Sequence, residues 1–373
     1  MVNIDFLGDI MLGRFVAEKY SEHPYQLLDQ NLLNKLQAAD VRVANLESPV
    51  FNGDSEDSLR FAAKPKLLDQ FKWVNCFSLS NNHINDFGTQ GMIETIAALD
   101  AKEIGHNGLY GDGYKPFMID KGVERIAVIT CADMMNYEFS EDCPYKTLRV
   151  NQSEEIQKYI LDYKAMGFFV ILYAHVGMLF TRFPNPVIRD FVHNMVDIGA
   201  DCIVTAHPHC LGGYELYKDK LIVYSLGDFL MDGASIRRRE AGVLSLEVEG
   251  NKIKKWSIEP VFTDDELTVH LAQGKRKERL LNGFRDVSDK IKKNETNYAS
   301  FYKRQYKKEL LAHSMSTVSF EYHKRGLFGL LRTLYKRIGA VGSMAKRVFT
   351  DRSKMSYDAD AVSDNNTSIN DLR

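Results

Sequence analysis

The chain has 373 residues, enough for one large α/β domain with an appendage or for two modest domains. Apolar residues make up 45% of it and charged residues 26%, as in an ordinary soluble globular protein with a sizeable core. The 48 basic and 50 acidic residues nearly cancel, so the net charge by itself indicates no polyanionic partner. No segment reaches the ~20 apolar residues that a membrane-spanning helix needs.

Short apolar runs alternate with amphipathic segments along the first part of the chain. The runs predict buried strands at 4–7, 41–46, 76–79, 126–130, 168–174, 202–205 and 221–226. Helical patterns lie at 25–38, 90–99, 154–166 and 185–198. This alternation predicts an α/β fold with parallel strands, and the runs 242–249 and 252–262 predict a closing hairpin.

The character of the sequence changes after about residue 264. Residues 275–347 contain 19 Lys or Arg against 6 Asp or Glu, and 266–309 is helical in period. Residues 326–349 place apolar side chains on one face and basic ones on the other. We expect a domain at 1–263, a basic helical extension at 264–349 and a disordered tail at 350–373.

The five cysteines and the N-terminus bear on the cellular compartment. An odd number of cysteines without C-x-x-C spacing favours a reducing compartment over a disulfide framework. The chain starts in a strand-like run, so no signal peptide is expected. We therefore predict a cytoplasmic protein, with a peripheral position at the inner membrane face as a further option.

Polar residues follow the carboxyl ends of five predicted strands. They are Asp9, Glu47, Asn82, His83, His175, His207 and His209. Because sites in open α/β sheets gather beyond the carboxyl ends of strands, we expect these side chains to converge.

The chemistry of this set is that of a metal site. Carboxylates, imidazoles and an amide oxygen suit a borderline divalent ion such as Mn²⁺, Fe²⁺ or Zn²⁺, and the absence of thiolates disfavours a closed structural zinc site. One or two ions fit the set, two if a carboxylate bridges them. A pair of ions can bind a phosphate ester, generate hydroxide from water and stabilise the leaving oxygen.

Each residue also has a simpler interpretation when it is taken alone. Asp9 is compatible with a helix cap, Glu47 with a solvated strand end and Asn82 with a turn. His207 and His209 flank a proline, where imidazoles offer little to packing and much to a metal. The agreement of five strand ends favours a shared site.

Six ordered motifs resemble those of the CapA/PgsA-type proteins, which are linked to capsule and poly-γ-glutamate synthesis. The motifs are GDIMLGR at 8–14, NLESP at 45–49, SNNH at 80–83, DFG at 86–88, AHPH at 206–209 and YSLGDF at 224–229. The resemblance covers about residues 2–262. It implies a four-layer α/β/β/α sandwich similar to that of calcineurin-like metallophosphoesterases.

The resemblance also implies roles for individual residues. Asp9 and His209 match ligands of a first metal, and Glu47 matches a carboxylate that bridges two metals. Ligands of the second metal are matched by Asn82, His175 and His207. His83 matches the residue that protonates the leaving oxygen, so His83 and Glu47 are the catalytic candidates.

Three positions depart from the pattern that the resemblance implies. Met11 stands where the superfamily usually has the His of Asp-x-His, and a thioether is a poor ligand for a hard dication. Glu47 replaces an Asp. Asp228 replaces the Asn of Gly-Asn-Phe, and we interpret it as a turn residue in preference to an acidic contact.

The predicted function is a metal-dependent hydrolase of a phosphoester or related linkage in bacterial capsule, exopolysaccharide or poly-γ-glutamate metabolism. The alternative is a non-hydrolytic polymer-synthesis or assembly protein that retains the metal-binding fold. Arg14 and Arg60 are candidates to bind an anionic polymer or phosphoester, and a surface ion pair is the competing interpretation of Arg14. Residues 326–349 are predicted to dock on the acidic domain or a sister subunit, in preference to an anionic membrane, and no specific nucleic acid is expected.

Overall fold

The computed structural model describes residues 1–22, 26–53, 60–133, 135–233, 235–320 and 322. Its strands are β1 (Val2–Ile10), β2 (Val41–Leu46), β3 (Cys76–Ser78), β4 (Gly105–Asn107), β5 (Phe117–Lys121), β6 (Glu124–Ala132), β7 (Phe169–His175), β8 (Cys202–Ala206), β9 (Tyr214–Tyr217), β10 (Lys220–Val223), β11 (Asp228–Leu230), β12 (Glu240–Val248), β13 (Ile253–Thr263) and β14 (Val269–Leu271). Its α-helices are α1 (Arg14–Glu22), α2 (Gln30–Gln37), α3 (Gly88–Asp100), α4 (Ser153–Ala165), α5 (Pro186–Ile198), α6 (Gly274–Lys293) and α7 (298–320). Short 3₁₀ turns lie at Pro65–Phe71, Val150–Gln152, Ile236–Arg239 and Glu295–Asn297.

The strands form two sheets. The first has the order β14-β13-β12-β1-β2-β3-β4, with β11 also paired to β1, and the second has the order β5-β6-β7-β8-β10-β9. Strands β1 to β4 run parallel, as do β6, β7, β8 and β10. The predicted parallel α/β arrangement is therefore confirmed, with antiparallel strands at the edges of each sheet.

Three layers of apolar contact hold the sheets and helices together. Ile4 and Phe6 of β1 point between the sheets, where Phe6 meets Tyr173 of β7 edge to face with ring centroids 5.6 Å apart. Leu7 and Ile10, on the opposite face of β1, pack with residues of α2 and α3. The outer face of the second sheet packs under α4, α5 and α6 in the same way. Alternation along each strand thus gives the α/β/β/α layering that the resemblance implies.

Two predicted helices begin later than expected. The helix predicted at 25–38 starts at Gln30, because Asp29 caps it with Oδ1 accepting from the backbone N–H groups of Asn31 and Leu32 at 2.9 and 3.2 Å. The helical period predicted from 266 is wrong at its start, where Val269–Leu271 extends the first sheet and α6 begins only at Gly274.

The predicted closing hairpin is confirmed. Strands β12 and β13 pair antiparallel, and the turn between them has Gly250 and Asn251 at φ values of 58° and 57°. Two consecutive residues with positive φ match the twist of the flanking strands, which is why a glycine and an asparagine occupy the turn.

The start of the basic extension packs against the domain. Helix α6 buries Leu280, Phe284, Val287 and Ile291, and Phe301 of α7 joins the outer core of the second sheet. The amphipathic segment predicted at 326–349 and the tail predicted at 350–373 lie outside the described residues. In the part of the chain that is described, none of the helices has the length and apolar content needed to cross a bilayer. All five cysteines are described, and each is a free thiol.

Candidate metal centre

The structure brings the predicted strand-end residues together. Asp9 lies near the end of β1, His175 ends β7, Glu47 and His207 directly follow β2 and β8, and the others lie in the loops after β3 and β8. Every member is buried, with His83 the most accessible at 8%. The solvated-strand-end interpretation of Glu47 is wrong, since that side chain is fully buried, and the helix-cap interpretation of Asp9 is wrong, since α1 begins only at Arg14.

Three ligand atoms lie close to His175 Nε2, and we call this group of four the second metal position. The Nε2 atom of His175 lies 2.8 Å from Asn82 Oδ1, 3.0 Å from His207 Nδ1 and 3.5 Å from Glu47 Oε1. An ion about 2.1 Å from each ligand atom would keep neighbouring ligand atoms about 3.0–3.4 Å apart. The spacing of these atoms therefore fits a divalent ion.

The carboxylate of Glu47 is buried without a partner. Neither of its oxygens has a hydrogen-bond partner in the described structure. Burial raises the pKa of Glu47 well above its usual range, and the neighbouring charges of Asp9 and Asp228 raise it further. An unsatisfied buried carboxylate is costly, and a bound cation is the group that removes this cost.

The first metal position is built around Asp9 and His209. Asp9 Oδ2 lies 3.8 Å from His209 Nδ1, whereas Glu47 Oε1 lies 3.8 Å from Nε2 on the other side of the same ring. Burial alone would raise the pKa of Asp9, but hydrogen bonds from His175 and from the backbone N–H of His207, with His209 nearby, lower it. Asp9 is thus held ready as a carboxylate, the form that binds cations.

Asp228 joins this position, although the sequence analysis favours a turn. It is the first residue of β11, and parallel pairing places it beside Asp9. Asp228 Oδ1 lies 2.7 Å from His209 Nδ1, and ligand atoms of Asp9, His209 and Asp228 lie within 4.8 Å of one another. The turn interpretation is wrong because the turn ends at Gly227, whose φ is 76°.

The dipeptide Gly-Asp occurs twice in this centre, at 8–9 and 227–228, and the two copies lie side by side. A Cβ on Gly8 would sit 1.9 Å from the carbonyl oxygen of Gly227, and that oxygen accepts the N–H of Asp9 at 3.0 Å. Only glycine at position 8 allows this approach. Because Gly-Asp also occurs at 53–54 and 111–112, the dipeptide alone does not identify Asp228 in the sequence.

The side chain of Met11 packs among apolar side chains, as expected for a thioether, which is a poor ligand for a hard dication. It is fully buried in a small apolar cluster with Phe61 and Met231, and its Sδ accepts the N–H of Gly13 at 3.1 Å.

The His-Pro-His segment is conformationally strained. His207 and His209 have φ values of 96° and 56°, which residues other than glycine rarely adopt. Strain of this kind costs about 1–3 kcal/mol per residue and concentrates at functional sites. Burial lowers the pKa of His207 and of His175, so both rings are neutral and can ligate a cation.

His83 lies beside the second position and is held from two sides. Its Nδ1 lies 2.9 Å from Asp86 Oδ2, and its ring stacks on Phe61 with centroids 3.9 Å apart. The Asn136 side-chain nitrogen is 3.2 Å from Nδ1 and 3.3 Å from Nε2. Asp86 thereby orients the ring, a role that the sequence analysis did not assign.

The two predicted substrate-binding arginines lie near His83. The Arg14 guanidinium sits 4.5 Å from the Phe61 ring centroid and pairs with the buried carboxylate of Asp232, while its buried Nε has no hydrogen-bond partner. Arg60 lies 4.8 Å from the ring centroid of Tyr137. The ion pair of Arg14 is present, with Asp232 buried and Arg14 partly exposed, and anion binding by both arginines stays a prediction.

The family described as "Bacterial capsule synthesis protein PGA_cap" matches residues 3–233, which include every ligand candidate in the centre. The chain belongs to this family. PGA_cap proteins are part of the metallophosphoesterase-like superfamily, in agreement with the resemblance noted from the motifs.

Several PGA_cap relatives carry functional names. The chain is 26% identical over 275 residues to the "PGA biosynthesis protein CapA" of Bacillus subtilis (70% of this chain, 71% of that protein). It is also 26% identical over 267 residues to the "Capsule biosynthesis protein CapA" of Bacillus anthracis (67% and 64%). A solved structure of a hypothetical protein from Thermus thermophilus is 16% identical, with a TM-score of 0.44, covering 69% of this chain and 98% of that one.

Proposed function

We propose that this PGA_cap protein is a metal-dependent hydrolase of a phosphoester or related linkage in capsule or poly-γ-glutamate metabolism. The observation that carries the proposal is the buried carboxylate of Glu47, which has no hydrogen-bond partner and lies 3.5 Å from the His175 nitrogen that His207 and the Asn82 amide oxygen also approach. A purely structural cluster would satisfy that carboxylate with donors.

Asn82, His175, His207 and Glu47 would hold one ion, and Asp9, His209 and Glu47 a second. Divalent ions such as Mn²⁺, Fe²⁺ or Zn²⁺ would lower the pKa of water and offset charge on a phosphoryl oxygen. The protein's own contribution is to orient these ligands and to keep bulk water out.

His83 supplies the proton to the leaving oxygen. Asp86 accepts from Nδ1 and so leaves Nε2 as the nitrogen that delivers the proton. Arg14 would contact the anionic part of the substrate, since its position over Phe61 places it next to the ring that stacks on His83.

A leaving-group comparison tests this assignment. The manganese-loaded full chain is assayed with an aryl phosphodiester, whose nitrophenolate leaves without a proton, and with an alkyl ester, whose alkoxide needs one. His83→Asn should keep its metal and lose about 10²–10⁴-fold in turnover of the alkyl ester, with a far smaller loss on the aryl ester. His106→Asn, outside the centre, is the matched control and should behave as the wild type. An equal loss on both esters contradicts the role of His83, and a chain that holds no divalent metal contradicts the hydrolase proposal.

A second candidate function follows from Met11. Its burial with Phe61 and Met231 removes a ligand from the first position, which favours a protein that binds metal and acts in polymer assembly without hydrolysis. The "Probable polyglutamine synthesis accessory protein" of Mycobacterium tuberculosis, 25% identical over 178 residues, has a name compatible with that role. Stoichiometric metal without turnover of either ester would select this candidate.

A further inference from the structure

Asp228 differs from Glu47 in how its oxygens are used. Its Oδ1 lies 2.7 Å from His209 Nδ1, and its Oδ2 lies 3.4 Å from Nε of Arg238. Arg238 is itself held over the ring of Phe180, with its guanidinium carbon 5.5 Å from the centroid. Both carboxylate oxygens of Asp228 therefore have side-chain partners, and one of these partners is Nδ1 of the ligand candidate His209.

The partner of Asp228 decides which nitrogen of His209 is free. An imidazole whose Nδ1–H donates to a carboxylate carries its lone pair on Nε2. His209 Nε2 lies 3.8 Å from Glu47 Oε1, within the about 4.2 Å that two ligand atoms can span across one ion. The nitrogen left free is thus the one that can share an ion with Glu47.

We infer that Asp228 is a positioning residue of the first metal position. It fixes His209 as the Nδ1–H tautomer, aims Nε2 at the ion and makes the imidazole a stronger donor, as carboxylates beside metal-bound histidines do. The stronger donation from His209 compensates for the histidine ligand that Met11 replaces. The inference rests on the proposed metal centre and concerns how the weaker half of that centre is held.

The strand pairing makes this arrangement rigid. Asp228 reaches His209 because β11 runs parallel to β1 with Asp228 in register with Asp9. The glycine at position 8 and the positive φ of Gly227 are both needed for that approach. A carboxylate on a strand holds its partner more firmly than one on a loop.

The test combines nitrogen NMR with metal affinity on the full chain. ¹⁵N-histidine spectra of the zinc-loaded wild type should show His209 protonated at Nδ1. Asp228→Asn should weaken one of two zinc ions about 10–100-fold in competition with a chelator, leave the other ion unchanged and disturb the His209 tautomer. Asp232→Asn, which removes a nearby carboxylate that pairs with Arg14, is the matched control and should leave both zinc affinities unchanged.

The outcomes separate this inference from the hydrolase proposal. Two zinc ions bound equally well by wild type and Asp228→Asn would overturn the role of Asp228 and leave the centre standing. If Asp228→Asn lost zinc while the His209 signals stayed unchanged, Asp228 would be a direct ligand, and its role as a positioning residue would also be overturned. A wild-type His209 protonated at Nε2 overturns it without any variant, and a wild type that binds no zinc removes the centre itself.

Discussion

Two buried groups of charged side chains in this protein are satisfied in different ways. In one, the carboxylate of Glu215 accepts from Arg189 Nη2 at 2.7 Å and Nε at 3.2 Å, and from the Tyr224 hydroxyl at 2.9 Å. His193 completes the group, with Nε2 3.2 Å from the same carboxylate. In the other group, the carboxylate of Glu47 is more deeply buried than that of Glu215 and has no hydrogen-bond partner among the described residues.

This difference in hydrogen bonding distinguishes a buried glutamate that stabilises the fold from a buried glutamate that is placed to bind a ligand. Around Glu215 the fold supplies donors for both oxygens, as buried polar groups in proteins normally require. Around Glu47 it supplies imidazoles and other carboxylates, which compete for the same cation and do not neutralise the charge. The Glu47 group is therefore incomplete without a bound ion, and the Glu215 group is complete as it stands.

The largest effect is expected from breaking the satisfied group. Glu215→Gln leaves Arg189 buried without its counter-charge and should lower the free energy of unfolding by about 3–5 kcal/mol. Urea denaturation measures this loss. Metal content should stay at the wild-type level, and a change in metal content would show that the two groups are not independent.

The same pair should also give the protein a pH-dependent stability. Burial alone would raise the pKa of Glu215, but hydrogen bonds from His193 and Arg189 and the charge of Arg189 lower it from its ordinary 4.5 to about 2. A lowered carboxyl pKa stabilises the fold above pH 4.5, and that stabilisation is lost as the pH falls towards 2. The stability gap between wild type and Glu215→Gln should therefore narrow over this range, and a gap that stays constant contradicts the pairing.

A smaller effect of opposite sign is expected at Glu47. Glu47→Gln removes a buried charge without partners and should raise the free energy of unfolding of the chelator-treated protein by about 1–2 kcal/mol. The same variant should lose the stabilisation that added Mn²⁺ gives the wild type, because ligands stabilise only the state that binds them. Denaturation curves recorded with chelator and with Mn²⁺ measure both changes in the free energy of unfolding. A Glu47→Gln variant that is less stable than the wild type in chelator would contradict the comparison.

The smallest effect is expected where a pair is exposed. Lys290 and Asp286 pair on the surface of α6, with side chains 43% and 52% exposed. Asp286→Asn should change the free energy of unfolding by less than about 0.5 kcal/mol. A loss as large as that of Glu215→Gln would mean that burial is not what distinguishes the groups.

The sequence predicts most of the fold and of the centre because both follow local patterns. Apolar runs mark the long parallel strands, and the residues directly after them are the ligand candidates, so Asp9, His175 and His207 are placed correctly. Five short strands (β4, β5, β9, β11 and β14) escape prediction, because segments of three to five residues without a longer apolar run carry little periodicity.

The role of Asp228 escapes prediction for a different reason. Its environment depends on the pairing of β11 with β1, two segments far apart in the chain, and a Gly-Asp after an apolar run otherwise has the composition of a turn. Asp86 was visible as part of a motif, but its contact with His83 depends on the fold of the loop after β3.

Anomalous diffraction from crystals of the full chain soaked with Mn²⁺ tests the metal centre most directly. The account predicts a manganese peak about 2.0–2.3 Å from a carboxylate oxygen of Glu47, bounded by His175 Nε2, His207 Nδ1 and Asn82 Oδ1. The account would be contradicted if crystals soaked at saturating manganese showed no peak at this position and both Glu47 oxygens accepted hydrogen bonds from protein donors.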